Sequence, residues 1–116
     1  MSDVVIYHNP RCSKSRQTLQ LIKDRGIEPT VVEYLDTPPS AETLKTLLAG
    51  LGMAPRDLMR KKEDEYKALG LSDESLSEDA LIAAMVENPR LIERPIVTCG
   101  GKVAVGRPPE NVLDIL

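Results

Sequence analysis

One stretch near the start constrains this chain more than any other. Val4 to Tyr7 is a short apolar run, suited to a buried strand. His8-Asn9-Pro10 breaks it. A helical pattern follows from Ser13, with Leu19 and Ile22 three apart, and it stops at Gly26, a residue type that ends helices in a left-handed turn. Thr30 to Leu35 is β-branched and apolar and reads as a second strand. A helix between two strands fits a crossover connection, so the strands are expected to run parallel.

The middle of the chain reads as helices. Ser40 is placed as an N-cap, and Leu44, Leu47, Leu48 and Leu51 fall at i, i+3, i+4 and i+7. Pro55 suits the first position of a short helix, and Glu63 to Leu69 has room for another before Gly70. Ser77 is a second N-cap, with Glu78 and Asp79 in the first turn where the helix dipole favours acid. Leu76 and Leu81 are spaced as a hydrophobic staple, and this helix ends near Asn88-Pro89. Then the period changes. Ile96-Val97-Thr98 and Val103-Ala104-Val105 flank Gly100-Gly101, a hairpin signature. A last short helix is expected from Pro109 to Leu116. The order β-α-β, helices, β-β-α is that of an α/β thioredoxin-like fold. It has a four-stranded mixed sheet and a helical insert at about 40–89 between its halves, all in one domain over residues 1–116. Helices on both faces would hide the parallel part of the sheet.

Composition narrows the function. The formal net charge is -3, which argues against binding nucleic acid by phosphate neutralisation. The aromatics are only Tyr7, Tyr34 and Tyr66, too few for a base-stacking platform. A single histidine excludes a multi-histidine metal site, and no metal is expected. Cys12 and Cys99 lie far apart, so neither a zinc ribbon nor a CxxC pair can be built from them. The N-terminus lacks the basic and apolar regions of a signal peptide, and no apolar run reaches membrane-spanning length. The cytoplasm is the expected compartment.

Chemistry concentrates between His8 and Arg16. Cys12 falls between strand one and helix one, where free backbone N–H groups and the helix dipole favour the thiolate. Arg11, Lys14 and Arg16 add three cations within four residues of the sulfur, and the amides of Ser13 to Arg16 are placed to cradle an oxyanion. The plainer reading of any cysteine is a small buried hydrophobe; the strand–loop–helix position and the cations weigh against it here. Position 18 is Thr18, not the arginine of a phosphatase-type loop, and position 15 is Ser15, not a second thiol. A disulfide formed at Cys12 must therefore be released from outside or by Cys99. Nothing near Cys99 activates it. His8 either modulates the thiolate or simply ends the strand.

The segment Ile6-Tyr7-His8-Asn9-Pro10-Arg11-Cys12-Ser13-Lys14-Ser15-Arg16 closely resembles the active-site segment of the glutaredoxin-coupled arsenate reductases, the ArsC family. The resemblance continues through Tyr34-Leu35, Pro38-Pro39, Leu58-Met59-Arg60-Lys61, Glu93-Arg94-Pro95-Ile96-Val97 and Gly106-Arg107-Pro108. It implies that Cys12 attacks arsenate and that Arg60, Arg94 and Arg107 bind the anion. It also implies that His8 and Ser15 support the thiolate, and that Pro95 follows a cis peptide beside the cysteine. By spacing alone each of these arginines would read as a solvated surface charge. The implied partners are arsenate, glutathione as co-substrate and glutaredoxin, with no bound cofactor. Two alternatives stand beside it: a glutathione-dependent thiol/disulfide reductase on the same site, and a binding protein resembling the Spx regulators, which use this fold to contact RNA polymerase. The latter carry a CxxC pair, which Ser15 removes here.

Overall fold

A computed structural model describes residues 3–93 and 95–116. The chain divides into two compact units, one formed by Met1–Thr37 with Arg94–Leu116 and the other by Pro38–Glu93. The first unit holds the sheet. Strand β1 (Val4–His8) is central and alternates buried and half-buried residues, as a strand with two different faces must. Helix α1 (Ser13–Asp24) follows, and then β2 (Thr30–Glu33). Strands β3 (Ile96–Cys99) and β4 (Lys102–Val105) complete the order β2-β1-β3-β4. β2 pairs parallel with β1, placing Glu33 opposite His8. β3 runs antiparallel to β1, placing Cys99 opposite Val4.

The β3–β4 turn is the predicted Gly100-Gly101. Both glycines have positive φ, 54° and 88°, as a two-residue hairpin with the twist of its strands requires. The core of this unit is Val4, Ile6, Ile22, Val97 and Val112, with Leu19, Ile27 and Ala104 packed against it. Two expectations need correction. β2 stops at Glu33 rather than Leu35, because the carbonyl of Glu33 accepts the N–H groups of Asp36 and Thr37 at 3.0 and 2.9 Å and turns the chain. β2 is also not hidden. Thr30, Val31 and Glu33 are exposed, since β2 is an edge strand. The last helix is 3₁₀ over Pro109–Ile115, opened by a bond from Asn111 N–H to the Pro108 carbonyl at 3.0 Å.

The second unit is helical: α2 (Ala41–Leu51), α3 (Asp64–Ala68) and α4 (Glu78–Glu87), with short 3₁₀ segments at Pro55–Leu58 and Pro89–Leu91. Both predicted caps are made. Ser40 Oγ accepts Thr43 N–H, and Ser77 Oγ accepts Ala80 N–H, each at 3.1 Å. Leu44, Leu47 and Leu48 of α2 are buried, as are Leu81, Ile82 and Met85 of α4, and the two helices pack together. A short antiparallel bridge, Met59 with Ile92, lies beside a bond from Arg60 N–H to the Leu91 carbonyl at 2.7 Å. No helix among the described residues is long and apolar enough to cross a membrane.

Candidate active site

Cys12 is the N-cap of α1, with extended backbone at φ -96° and ψ 122°. Its N–H donates to the Asn9 carbonyl and its carbonyl accepts Arg16 N–H, both at 3.0 Å. The sulfur therefore sits at the positive end of a 12-residue helix whose first turn contains no acidic side chain. The loop is braced on both sides. Asn9 Oδ1 accepts Arg11 N–H at 3.0 Å, the local bond that makes asparagine a turn residue. Arg16 Nη1 donates to the Pro10 carbonyl at 2.9 Å, so this arginine ties the loop to the helix.

His8 and Ser15 meet beneath the loop. Ser15 is fully buried, His8 nearly so, and Nδ1 of the ring lies 2.6 Å from Ser15 Oγ. The same Oγ accepts Asn9 N–H at 3.0 Å. An oxygen already accepting from the backbone has its own proton to give, so we assign the imidazole as neutral, accepting at Nδ1 and protonated on Nε2. Burial, the largest influence, lowers the pKa of His8; Glu33 opposes it, while Arg16 and Lys23 reinforce it. The pair thus forms a chain of bonds, from Asn9 N–H through Ser15 to His8, that fixes the start of the cysteine loop from inside.

Arg107 is brought to the cysteine from the other end of the chain. Its Nη2 lies 3.6 Å from Cys12 Sγ, and a guanidinium at that distance favours the thiolate. Gly106 makes this approach possible. It is buried, and a Cβ there would fall 2.5 Å from Thr18 Oγ1 and 2.8 Å from Pro95 Cγ. Gly106 N–H also bonds the Pro95 carbonyl at 2.9 Å, which fixes the corner after β4. Pro95 is buried there; the expected cis bond between Arg94 and Pro95 lies outside the described residues, as does Arg94 itself. The cis peptide among the described residues is Arg107–Pro108.

Arg60 belongs to the helical unit. Its Nε donates to Glu63 and its Nη1 to Glu93, each at 3.2 Å. Glu63 is shared with Arg90, which also faces Glu65. Two of the five N–H groups of Arg60 are thus given to carboxylates. Cys99 is half-buried and lies opposite Val4, at the far end of β1 from the loop. Five residues of strand at ~3.3 Å rise put Val4 and His8 about 13 Å apart. A disulfide needs Cα atoms within roughly 7 Å, so Cys99 is not placed to pair with Cys12. Among the described residues no group of three histidine, cysteine or acidic side chains is placed to hold a metal. Asn9, Thr18 and Gly106 also support the site, although the sequence reading assigned them no role in it. The Asn-Pro turn was the available signal for Asn9, whereas Thr18 and Gly106 meet only after folding.

A mixed four-stranded sheet, with a cysteine capping the helix launched from its central strand, defines a thioredoxin-like protein with one thiol in that loop. Residues 7–115 match the ArsC family, and the chain belongs to it. It is 64% identical to the uncharacterized protein YfgD of Escherichia coli K12, over 97% of this chain and 96% of that one. It is 52% identical to an arsenate reductase of Neisseria meningitidis, with both chains covered completely. Its fold superposes on an arsenate reductase from Vibrio cholerae with a TM-score of 0.97 and 59% identity, covering 99% and 98% of the two chains.

Proposed function

We propose that this protein is an arsenate reductase that uses Cys12 as nucleophile and draws its electrons from external thiols. The observation that carries the reading is the thiol itself: a helix-capping cysteine with the Arg107 guanidinium 3.6 Å from its sulfur. A thiolate beside a planar cation is suited to attack an oxyanion that the same cation neutralises. Arg107, Arg94 and Arg60 are the proposed anion ligands, and His8 and Ser15 hold the loop that presents the sulfur.

In this reading the Cys12 sulfur attacks arsenic, a sulfur–arsenic bond forms and one oxygen leaves as water. Glutathione adds its sulfur to arsenic and a second oxygen leaves as water. A glutaredoxin thiol then attacks the glutathione sulfur. The sulfur–arsenic bond breaks, its electron pair stays on arsenic, and As(V) becomes As(III). Water hydrolyses the remaining bond to Cys12 and frees arsenite. The sum is arsenate plus two thiols giving arsenite, one disulfide and water. An external thiol is favoured because Cys99 lies about 13 Å along the sheet from the loop. A thiol pool of this kind suits a reducing compartment such as the cytoplasm.

Arsenite release from arsenate, measured with glutathione and glutaredoxin together and with each omitted, tests the reading. Full turnover only with both is expected; turnover with neither overturns the external route. The pairing of Arg60 with Glu63 and Glu93 favours a second reading, a glutathione-dependent disulfide reductase, which needs the thiolate but no anion clamp. Reduction of a glutathione mixed disulfide in the same apparatus separates the two.

A further inference from the structure

A second concave site opens beside the cysteine loop. It is a cleft of about 320 Å³ lined by His8, Asn9, Pro10 and Arg11 on one side and by Glu33, Leu35 and Asp36 on the other. Its position follows from the topology. His8 and Glu33 are paired at the ends of the parallel strands β1 and β2, so the cleft lies outside their carboxyl ends, where open α/β sheets bind ligands. Its volume is at the lower end of the roughly 300–1,000 Å³ typical of small-molecule sites. One wall is the segment that leads directly into Cys12.

The lining has a definite chemistry. Arg11 is a cation whose backbone is fixed by Asn9, while Glu33 and Asp36 are carboxylates on the facing wall, and Pro10 and Leu35 are apolar. Opposite charges on facing walls complement a ligand that carries both an ammonium and a carboxylate, the amino-acid head group. The Arg107 side of the sulfur is the oxyanion side, so a co-substrate thiol needs another approach. We propose that this cleft seats a small peptide thiol of the glutathione kind, its α-ammonium between Glu33 and Asp36 and a carboxylate on Arg11, so that its sulfur reaches the adduct on Cys12. This rests on the external-thiol reading above, and it adds where the thiol binds and which groups select it.

The test uses binding, so that it stands apart from turnover. S-methylglutathione, which cannot be oxidised to a disulfide, is titrated into the wild-type protein while backbone amide resonances are followed. Shifts confined to Asn9, Arg11, Leu35, Asp36 and their neighbours are expected. Asp36→Asn weakens binding by roughly fivefold, the upper range for one exposed ion pair, while Asp24→Asn on α1 leaves it unchanged. The N-acetylated probe, which lacks the ammonium, binds as weakly to wild type as the parent probe does to Asp36→Asn. No shifts, shifts elsewhere, or equal affinity for wild type and Asp36→Asn would overturn the proposal, as would S-methylcysteine binding as well as the tripeptide. A protein that binds the probe in the cleft but releases no arsenite would instead remove the arsenate reading and leave the cleft assignment standing.

Discussion

Gly106→Ala isolates the contact that carries Arg107 to the cysteine. The added methyl carbon would lie 2.5 Å from Thr18 Oγ1, 2.8 Å from Pro95 Cγ and 3.1 Å from Thr18 Cγ2. Gly106 does not have a positive φ, so the cost is steric rather than conformational. Overpacking of a buried site typically costs about 1–3 kcal/mol. In a domain of this size that corresponds to a fall in Tm of roughly 4–12 °C. Thr18 cannot swing away freely, because its Oγ1 donates to the Lys14 carbonyl at 2.8 Å and the side chain is fully buried. The corner after β4 must therefore move, and Arg107 moves with it. Two readouts are expected to change together: the urea midpoint falls, and the ultraviolet titration of the Cys12 thiolate shifts to higher pH. Wild-type Cys12 is expected to titrate below the ~8.5 of a free thiol. Thr18→Ala removes two of the three close atoms, so the double variant is expected to recover part of both losses, with a coupling of at least ~0.5 kcal/mol. Gly106→Ala with wild-type stability, or with lost stability and an unmoved thiolate titration, would refute the argument that this glycine positions Arg107.

Cys12→Ser is expected to abolish arsenite production while Cys99→Ser retains most of it, measured as steady-state release with glutathione and glutaredoxin present; loss of turnover in Cys99→Ser would mean that the internal cysteine resolves the adduct. His8 is expected to titrate below its ordinary value of ~6.5, read from its ring proton resonances. Because the folded state holds this proton less tightly than the unfolded chain, stability is full above about pH 6.5 and falls as pH drops from there toward the lower folded-state value. A urea midpoint that rises on acidification through that window contradicts the neutral assignment of the ring. Arg60→Ala removes the shared partner of Glu63 and Glu93 and is expected to cost about 1 kcal/mol in urea unfolding. If Arg60 also binds anion, the KM for arsenate rises about tenfold or more; a variant that loses stability alone assigns Arg60 to its ion-pair network.

Much of the fold was legible because it rests on local signals. The β-α-β start, the two serine caps and the Gly-Gly hairpin are each written within a few residues, and each formed. The errors lie at edges, where local signals compete. Leu35 is apolar and continues the strand pattern, yet the turn bonds to the Glu33 carbonyl end β2 two residues sooner. The short helix expected from Pro109 does form, over Pro109–Ile115, though with i→i+3 geometry that the sequence pattern did not specify. The helical unit, Pro38–Glu93, contains the expected insert of about 40–89, and at its C-terminal end Ile92 pairs back onto Met59 through a bridge that periodicity does not encode.

The site divides in the same way. Its sequence-local part, Cys12 on a helix N-terminus with Arg16 one turn along, follows from spacing and physical chemistry, whereas the supporting role of Ser15 was implied only by the family resemblance. Its long-range part does not. Arg107 stands 95 positions from Cys12, and no local pattern distinguishes it from Arg60 or Arg90. What separates these arginines is their partner. Arg60 and Arg90 face glutamates of their own unit, whereas Arg107 Nη2 lies 3.6 Å from the Cys12 sulfur. An arginine donating to two carboxylates has part of its hydrogen-bonding fork committed before any ligand arrives, and it must surrender those bonds or use its remaining donors to bind an anion. An arginine beside a thiolate gains from an incoming oxyanion that the thiolate attacks, because the negative charge it faces is carried forward into the adduct rather than exchanged. On that ground removal of Arg107 is expected to slow the chemical step itself, whereas Arg60 would meet substrate with a guanidinium that already pairs with Glu63 and Glu93 in its own unit.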